Sequence, residues 1–317
     1  MSSEPRTRWG DKPYYSLDYY LRQTFGEKIY KVALDVGTTC PNRDGTLDRR
    51  GCIFCSAGGS GEFSPSAALP IPRQLAEAKE RLKKKYKGNA YIAYFQSFTN
   101  TYAPVSYLRK IFYEAIQDPE VVALSIATRP DCIAEETLAL LRELNQLKPV
   151  WVELGLQTSN EKTAEEIHRG YGLACFEDCV RRLKAAGLQV IVHVILGLPN
   201  ETKECMIDTI EYLNQVGIHG IKLQLLHVLK GTQLENIYRS GAFQVLDLEE
   251  YTDILCDCIE HLSPDVVIHR LTGDGPRRLL IAPSWSTDKK GVRNYIHQEF
   301  LRREICQGRL QGKGESQ

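Results

Sequence analysis

The chain has 317 residues, 43% of them hydrophobic and 25% charged, with a formal net charge of zero. That length suits one large α/β barrel or one domain with a small appendage, and the composition excludes a fibrous or extensively disordered protein. The first residues, MSSEPRTRWGDKPYYSLDYY, carry no apolar targeting core, and no run of about eighteen apolar residues occurs, so a soluble cytoplasmic protein with no membrane partner is expected. Ten cysteines in such a setting read as thiols or metal ligands, not as a disulfide framework. Charge is unevenly spread: residues 270–317 hold ten Lys/Arg against five Asp/Glu, and 73–87 hold seven against two. These stretches are either solvated helix faces or surfaces for an anionic partner.

In chain order the pattern predicts a strand at 31–36 (KVALDV), a helix at 73–86, a strand at 90–95, a helix at 105–117 and a strand at 121–127. A helix at 134–146, a strand at 150–156, a helix at 174–186, a strand at 189–196, a helix at 203–215 and a strand at 220–226 follow. Near-continuous apolar runs separated by amphipathic stretches are what a parallel sheet covered by helices requires. Asp131 and Thr202 stand where helix N-termini are expected, and Gly187 and Gly217 where left-handed C-caps would sit. Beyond the sixth strand the chain reads as a helix at 247–261, a strand at 266–271 and a terminal helix near 292–308. Six β/α units make either a doubly wound sheet or an open barrel. In both, ligands bind at the C-terminal ends of the strands.

The first strand runs into GTTCPNRDGTLDRRGCIFCSAGGSGEF, where Cys40 is followed after eleven residues by Cys52, and Cys52 after two by Cys55. Three thiolates in a loop rich in Gly, Asp, Asn and Arg suit a cubane cluster that leaves one iron open, whereas structural zinc normally closes with a fourth Cys or His. Zinc, a redox Cys-x-x-C pair and chance remain the alternatives. The other seven cysteines, Cys132, Cys175, Cys179, Cys205, Cys256, Cys258 and Cys306, read as plain thiols.

A strand, a long three-cysteine loop ending in Cys-x-aromatic-Cys, and Gly-rich sequence resemble the radical S-adenosylmethionine superfamily. The long first spacing in TTCPNRDGTLDRRGCIFC is similar to its YhcC/YtqA-type (MnmL-like) branch, related to the radical domain of the elongator catalytic subunit. The resemblance implies a partial (β/α)6 TIM-like barrel, an α/β fold, with a C-terminal extension. It divides the chain into an N-terminal segment 1–30, the barrel 31–245 and the extension 246–317.

The cofactors implied are a 4Fe-4S cluster on Cys40, Cys52 and Cys55, and S-adenosyl-L-methionine. FQSFTNTYAP occupies the edge where the superfamily carries Gly-Gly-Glu for the methionyl amine, with Gln96, Ser97, Thr99 and Asn100 in its place, and a polar turn with no ligand is the alternative. ELGLQTSN and IHRGY resemble the GVQS and RGY motifs, which gives Gln157 a hydrogen bond to the cofactor and Arg169 its carboxylate. Glu153 shares a strand face with Gly155 and Gln157 and is expected with them among the cofactor-binding residues, since a buried glutamate needs a ligand or a cation beside it. HVILGLPNET matches the Gly-Leu-Pro-Gly-Glu-Thr turn of adenine-side contacts. There His193 stands where some relatives bind ribose, and a core histidine bonded to backbone is the alternative. LLHVLKGTQL places His227 and Lys230 near the barrel mouth. In the last segment Arg270, Asp274, Trp285, Lys289 and Lys290 read as substrate-opening or phosphate-contacting groups, with Trp285 equally a packing residue.

The branch is associated with wobble-uridine modification, turning the 5-carboxymethylaminomethyl side chain of (2-thio)uridine in tRNA into 5-aminomethyl. The resemblance therefore implies 5'-deoxyadenosyl radical chemistry, tRNA as partner, and an electron donor such as flavodoxin or ferredoxin. A small metabolite or a protein side chain is the alternative substrate, and a zinc or redox module the alternative class. The expected substrate cations are Lys230, Arg270, Lys289 and Lys290, with the 79–87 helix face as a further tRNA contact.

Overall fold

Apolar runs and amphipathic stretches alternate as elements in the computed structural model, which describes residues 8–59, 61–83 and 86–311. Helix α1 (Leu17–Phe25) leads to β1 (Tyr30–Leu34), α2 (Ile71–Leu82), β2 (Tyr91–Phe95), α3 (Val105–Ile116), β3 (Val121–Thr128), α4 (Glu135–Asn145) and β4 (Val150–Gln157). Next come α5 (Glu161–Glu166), α6 (Leu173–Ala185), β5 (Gln189–Leu196), α7 (Lys203–Val216), β6 (Gly220–Leu225), β7 (Val228–Leu229) and α8 (Gln233–Arg239). The chain continues through α9 (Leu248–His261), β8 (Val267–Arg270), β9 (Leu280–Ala282) and α10 (Lys289–Arg302). Seven strands form one sheet in the order β1-β2-β3-β4-β5-β6-β8, and β7 pairs antiparallel with β9. The pairs β1–β2, β2–β3, β3–β4 and β6–β8 are parallel. This is the α/β class expected, with the 266–271 strand entering the sheet beside β6.

Helix punctuation follows the sequence at three of four sites. Thr202 caps α7 by accepting from the Cys205 amide, and Gly217 ends it at φ 72°. Gly187 (φ 75°) ends α6, with Gly187 N–H on the Lys184 carbonyl and Leu188 N–H on that of Leu183, the paired bonds of a Schellman turn. Asp131 is a correction. It lies in a 3-10 turn, Pro130–Cys132, and binds Arg129 through both oxygens, while α4 starts at Glu135 without a side-chain cap. The helix expected at 73–86 is Ile71–Leu82, begun early because Pro70 and Pro72 hold φ at helix-entry values. Lys84 and Lys85 lie outside the described residues. The terminal helix expected near 292–308 is Lys289–Arg302. Asp288 caps it by accepting from Gly291 N–H, and the chain leaves it through Glu304 at φ 52°.

Two compact units divide the chain: Leu21–Leu156 with His168–Val192, and the residues through Tyr20 with Gln157–Ile167 and those from His193 onward. In the former, α2 packs on β1 and α3 on β3. Leu34, Phe95, Leu124 and Ile126 are fully buried, and Phe95 meets Phe112 of α3 edge-on at 5.0 Å. By the two-residue period, Tyr94 and Gln96 point to the opposite face of β2. In the latter unit α7 packs on α9, and fully buried Tyr251 donates its hydroxyl to the Leu271 carbonyl at 2.6 Å. The Gln307 amide there accepts from Tyr15 N–H (2.7 Å) and donates to the Ser263 (2.7 Å) and Val266 (2.8 Å) carbonyls, which fastens the N-terminal segment to the C-terminal one.

Candidate active site

Beyond β1 the chain makes a loop rather than a helix because Gly, Asp, Asn and Pro supply turns and backbone-competing side chains. The Cys40 carbonyl accepts from the amides of Arg43 (2.8 Å) and Asp44 (3.2 Å), and Gly51 N–H returns to the Asn42 carbonyl at 2.8 Å. The eleven-residue excursion therefore closes on itself, and the Cys55 amide bonds the Cys52 carbonyl at 3.0 Å. Arg43 braces the far side, donating to the carbonyls of Cys55 (2.7 Å) and Ser56 (2.6 Å).

The three half-buried cysteines feel one another electrostatically. Burial foremost, then Cys55, pushes the Cys52 thiol up to about 12, while Arg129 and a hydrogen bond from Asn42 pull it down. Burial likewise raises Cys55. A metal centre here must displace protons, since thiolates are the ligands. Among the described residues, no group of three His, Cys, Asp or Glu is placed to hold a metal ion as the side chains stand. The loop offers three thiols and no imidazole, a donor set that fits a cubane cluster, in which each thiolate takes a separate iron.

Asn42, 2% exposed, is the hinge of the arrangement. Its amide donates to the His168 (2.8 Å) and Arg169 (3.1 Å) carbonyls and approaches Cys52 Sγ at 3.6 Å, joining the cysteine loop to the turn after α5. Gly170 adopts φ 82° beside it, and a Cβ there would lie 2.7 Å from Asn42 Oδ1. Arg129 meets the same turn, donating to the Arg169 carbonyl at 2.9 Å while Asp131 holds its other edge. Arg169 is 1% exposed. It donates to the carbonyls of Tyr171 (2.9 Å) and Leu156 (3.1 Å). Both guanidinium groups lie over the Tyr171 ring, at 4.8 and 4.9 Å, within cation–π range.

At the end of β2, Gln96 is half-buried and its backbone amide bonds the Leu34 carbonyl at 3.3 Å. Ser97 is 1% exposed, and its hydroxyl has no partner among the described residues. Asn100 spans β2 and β3, donating to the carbonyls of Phe95 (3.1 Å) and Ala127 (2.8 Å), while its Oδ1 has no partner among the described residues. His168 Nδ1, too, is buried without a partner among the described residues. Unsatisfied buried polar atoms are costly, and these are the groups a polar cofactor would satisfy. Glu153 is fully buried against Lys31 Nζ at 2.6 Å and the Ser125 hydroxyl at 2.5 Å, so the cation it required comes from β1.

In the other unit Gln157 sits at φ 70°, a rare backbone for a non-glycine, with its buried Oε1 unpartnered among the described residues. His193 is half-buried on β5. The LPNET turn puts Asn200, where the family motif has Gly, at φ 65°, which Asn tolerates, and Asn200 donates to Glu166 at 3.0 Å. Glu201 accepts from the Thr158 hydroxyl, and burial raises its carboxyl to about 7. His227 is held neutral by burial, its imidazole lowered to about 4. Lys289 binds Asp274 at 2.7 Å with Arg270 at 3.9 Å from the same carboxylate, while Lys230 and Lys290 are exposed. Trp285 is a packing residue, its indole N–H on the Leu246 carbonyl at 3.1 Å and its ring 5.8 Å from Tyr251.

Within the 79–87 stretch Lys79 bonds Asp118 (2.7 Å) and Glu120 (2.8 Å) and Lys83 pairs with Glu80, while Lys84 and Lys85 lie outside the described residues. Cys132, Cys175 and Cys179 line a 690 Å³ cavity with Asp131, Asp178 and Arg182. Asn42 and Arg129 were missed from sequence; their signals were a side-chain amide beside the first cysteine and an arginine directly after β3.

A family model described as the Radical SAM superfamily matches residues 37–213, and one described as the Radical_SAM C-terminal domain matches 218–302. The chain is 44% identical over 300 residues to the protein YtqA of Bacillus subtilis, covering 95% of this chain and 93% of that one. It is 36% identical over 272 residues to the protein YhcC of Escherichia coli, covering 85% and 86%. Its fold resembles the Elp3 structure of Methanocaldococcus infernus with a TM-score of 0.67 at 18% identity, over 88% of this chain and 64% of that one. With the superfamily model spanning more than half of its length and a relative matching nearly all of it, the chain belongs to the radical SAM superfamily, whose enzymes carry a 4Fe-4S cluster and S-adenosyl-L-methionine.

Proposed function

We propose that this enzyme converts 5-carboxymethylaminomethyl(-2-thio)uridine at the tRNA wobble position to the 5-aminomethyl form. Cys40, Cys52 and Cys55 hold the cluster, and Gln96, Ser97, Gln157, Arg169 and His193 contact S-adenosyl-L-methionine. The observation that carries the cofactor assignment is the fastening of the three-thiol loop by Asn42 to the turn bearing Arg169. When bound, these cofactors supply a 5'-deoxyadenosyl radical able to take hydrogen from an unactivated C–H.

The chain's own residues contribute placement. Asn42 and Arg129 fix the Arg169 turn, the Tyr171 ring lies against both guanidinium groups, and the buried Ser97 hydroxyl and Asn100 Oδ1 are available for hydrogen bonds. Membership of the YhcC/YtqA branch supports the uridine substrate. So does chemistry: a methylene between an amine and a carboxylate gives a radical that both neighbours stabilise. Lys230, Arg270, Lys289 and Lys290 are the proposed tRNA-facing cations, and a flavodoxin or ferredoxin is the proposed reductant. Among the described residues no helix is long and apolar enough to cross a membrane.

The test incubates reduced enzyme and S-adenosyl-L-methionine with tRNA carrying the 5-carboxymethylaminomethyl group, following 5'-deoxyadenosine and the nucleoside together. Coupled formation of 5'-deoxyadenosine and 5-aminomethyluridine is expected. An unchanged nucleoside, with 5'-deoxyadenosine at the rate seen without tRNA, would overturn the substrate.

A further inference from the structure

On the face of β1–β4 opposite Phe95, five side chains make one polar cluster. Tyr94, Ser125 and Trp151 form a row across β2, β3 and β4 by register. Lys31 Nζ lies 2.6 Å from Glu153 Oε1 and 3.2 Å from Ser125 Oγ, and 4.9 and 5.3 Å from the ring centres of Tyr94 and Trp151. Glu153 is fully buried, whereas the Lys31 side chain is 18% exposed, so the pair meets solvent only through the lysine side chain.

Stability alone does not account for this pair. Burying two charges costs about as much as their attraction returns, and apolar residues of similar volume commonly serve as well or better. Gln96, a proposed cofactor contact, stands on the same face two residues beyond Tyr94, about 7 Å along the strand. The charges therefore lie a short reach from the proposed chemistry. They form a cation and an anion side by side in an aromatic setting.

We infer that Lys31 and Glu153 are the specificity-determining receptor for a zwitterionic substituent, its carboxylate taken by Lys31 and its ammonium by Glu153. The identity of that substituent, an amine and a carboxylate one carbon apart, rests on the uridine reading above. Exchanging the internal pair for two intermolecular pairs adds no net charge to the site. A ligand bearing only an amine or only a carboxylate brings one charge without its counterpart, which a poorly solvated site resists. The 5-aminomethyl product keeps only the amine and so loses half of the recognition, which favours its release.

The experiment titrates full-length, cluster-loaded protein with S-adenosyl-L-methionine present, using N-benzylglycine, benzylamine and phenylacetate as probes observed by ligand NMR. N-benzylglycine is expected to bind at least about tenfold more tightly than either singly charged probe. The double variant Lys31→Met/Glu153→Leu, which removes both charges and keeps apolar volume, should lose that preference. If it does not fold, Glu153→Gln carries the same test, because phenylacetate should then gain on N-benzylglycine. Equal affinities in the wild-type protein, or an undiminished preference in a folded variant, overturns the receptor. The same proteins are then given the modified tRNA. A wild-type enzyme that prefers the zwitterionic probe yet ignores the tRNA removes the uridine reading and leaves the receptor. A double variant that turns over the tRNA at the wild-type kcat/KM removes the receptor and leaves the reading.

Discussion

Glu201, in the turn after β5, offers a measurement in which the direction of the effect is set by burial alone. Its carboxyl is raised from 4.5 to about 7, burial first, against the lowering pull of hydroxyl hydrogen bonds from Thr158 and Thr163. The folded state thus holds this proton more tightly than the unfolded chain. The stability it contributes is full below pH 4.5 and is lost as the pH rises through 7. A shift of that size corresponds to about 3 kcal/mol at 1.36 kcal/mol per unit. Glu201→Gln keeps a neutral side chain of the same shape that still accepts from Thr158. It should match the wild type near pH 4.5 and become more stable by up to about 3 kcal/mol near pH 8. Urea unfolding of both holoproteins between pH 4.5 and 8 checks this, read as the difference between them. The difference matters because His227, lowered to about 4 by burial, works in the opposite sense: its contribution is lost as the pH falls from 6.5 through 4. A variant-minus-wild-type difference that stays flat across this range would refute the buried-carboxyl argument.

Three other outcomes follow from the site. Cys52→Ala should lose iron after anaerobic reconstitution while Cys256→Ala keeps it; full iron in the former would end the ligand assignment. Arg169→Lys keeps the charge but loses the planar fork. Calorimetry should show binding of S-adenosyl-L-methionine weakened by about ten- to a hundredfold, equivalent to about 1.5 to 3 kcal/mol. Affinity for tRNA should fall steeply with salt, by about 0.7 to 0.9 in log–log slope per phosphate contacted, and Lys290→Ala should flatten the slope by about one contact. A salt-independent affinity would exclude the phosphate-contact surface.

Locally encoded features were legible in the chain and long-range ones were not. The apolar runs, the Thr202 cap and the glycines at 187 and 217 depend on neighbours a few residues away, so period and turn chemistry reveal them. Cys40, Cys52 and Cys55 announce themselves by spacing. Asn42 does not, because its partners lie 126 and 127 residues on in sequence. Asp131 resembled a helix cap because aspartate favours such positions, but Arg129 two residues earlier offers it two charge-assisted bonds and takes it. For Glu153 the sequence implied the need for a cation, and only the strand register supplied Lys31. Lys79 shows the reverse limit: a cationic run says nothing of which lysine turns inward to Asp118 and Glu120.

The Asn42 amide holds the cysteine loop and the Arg169 turn at once, so the two proposed cofactor sites share a fastener. Thermodynamic linkage then makes their occupancies mutually reinforcing, since whatever steadies the turn also steadies the loop. Bound S-adenosyl-L-methionine should raise the equilibrium retention of iron against a chelator, and loading of iron should tighten S-adenosyl-L-methionine by the same factor. In Asn42→Ala that protection should vanish even where both ligands still bind. The enzyme's sensitivity to air would then depend on its supply of S-adenosyl-L-methionine, with the cofactor acting as a preservative of the metal centre it serves.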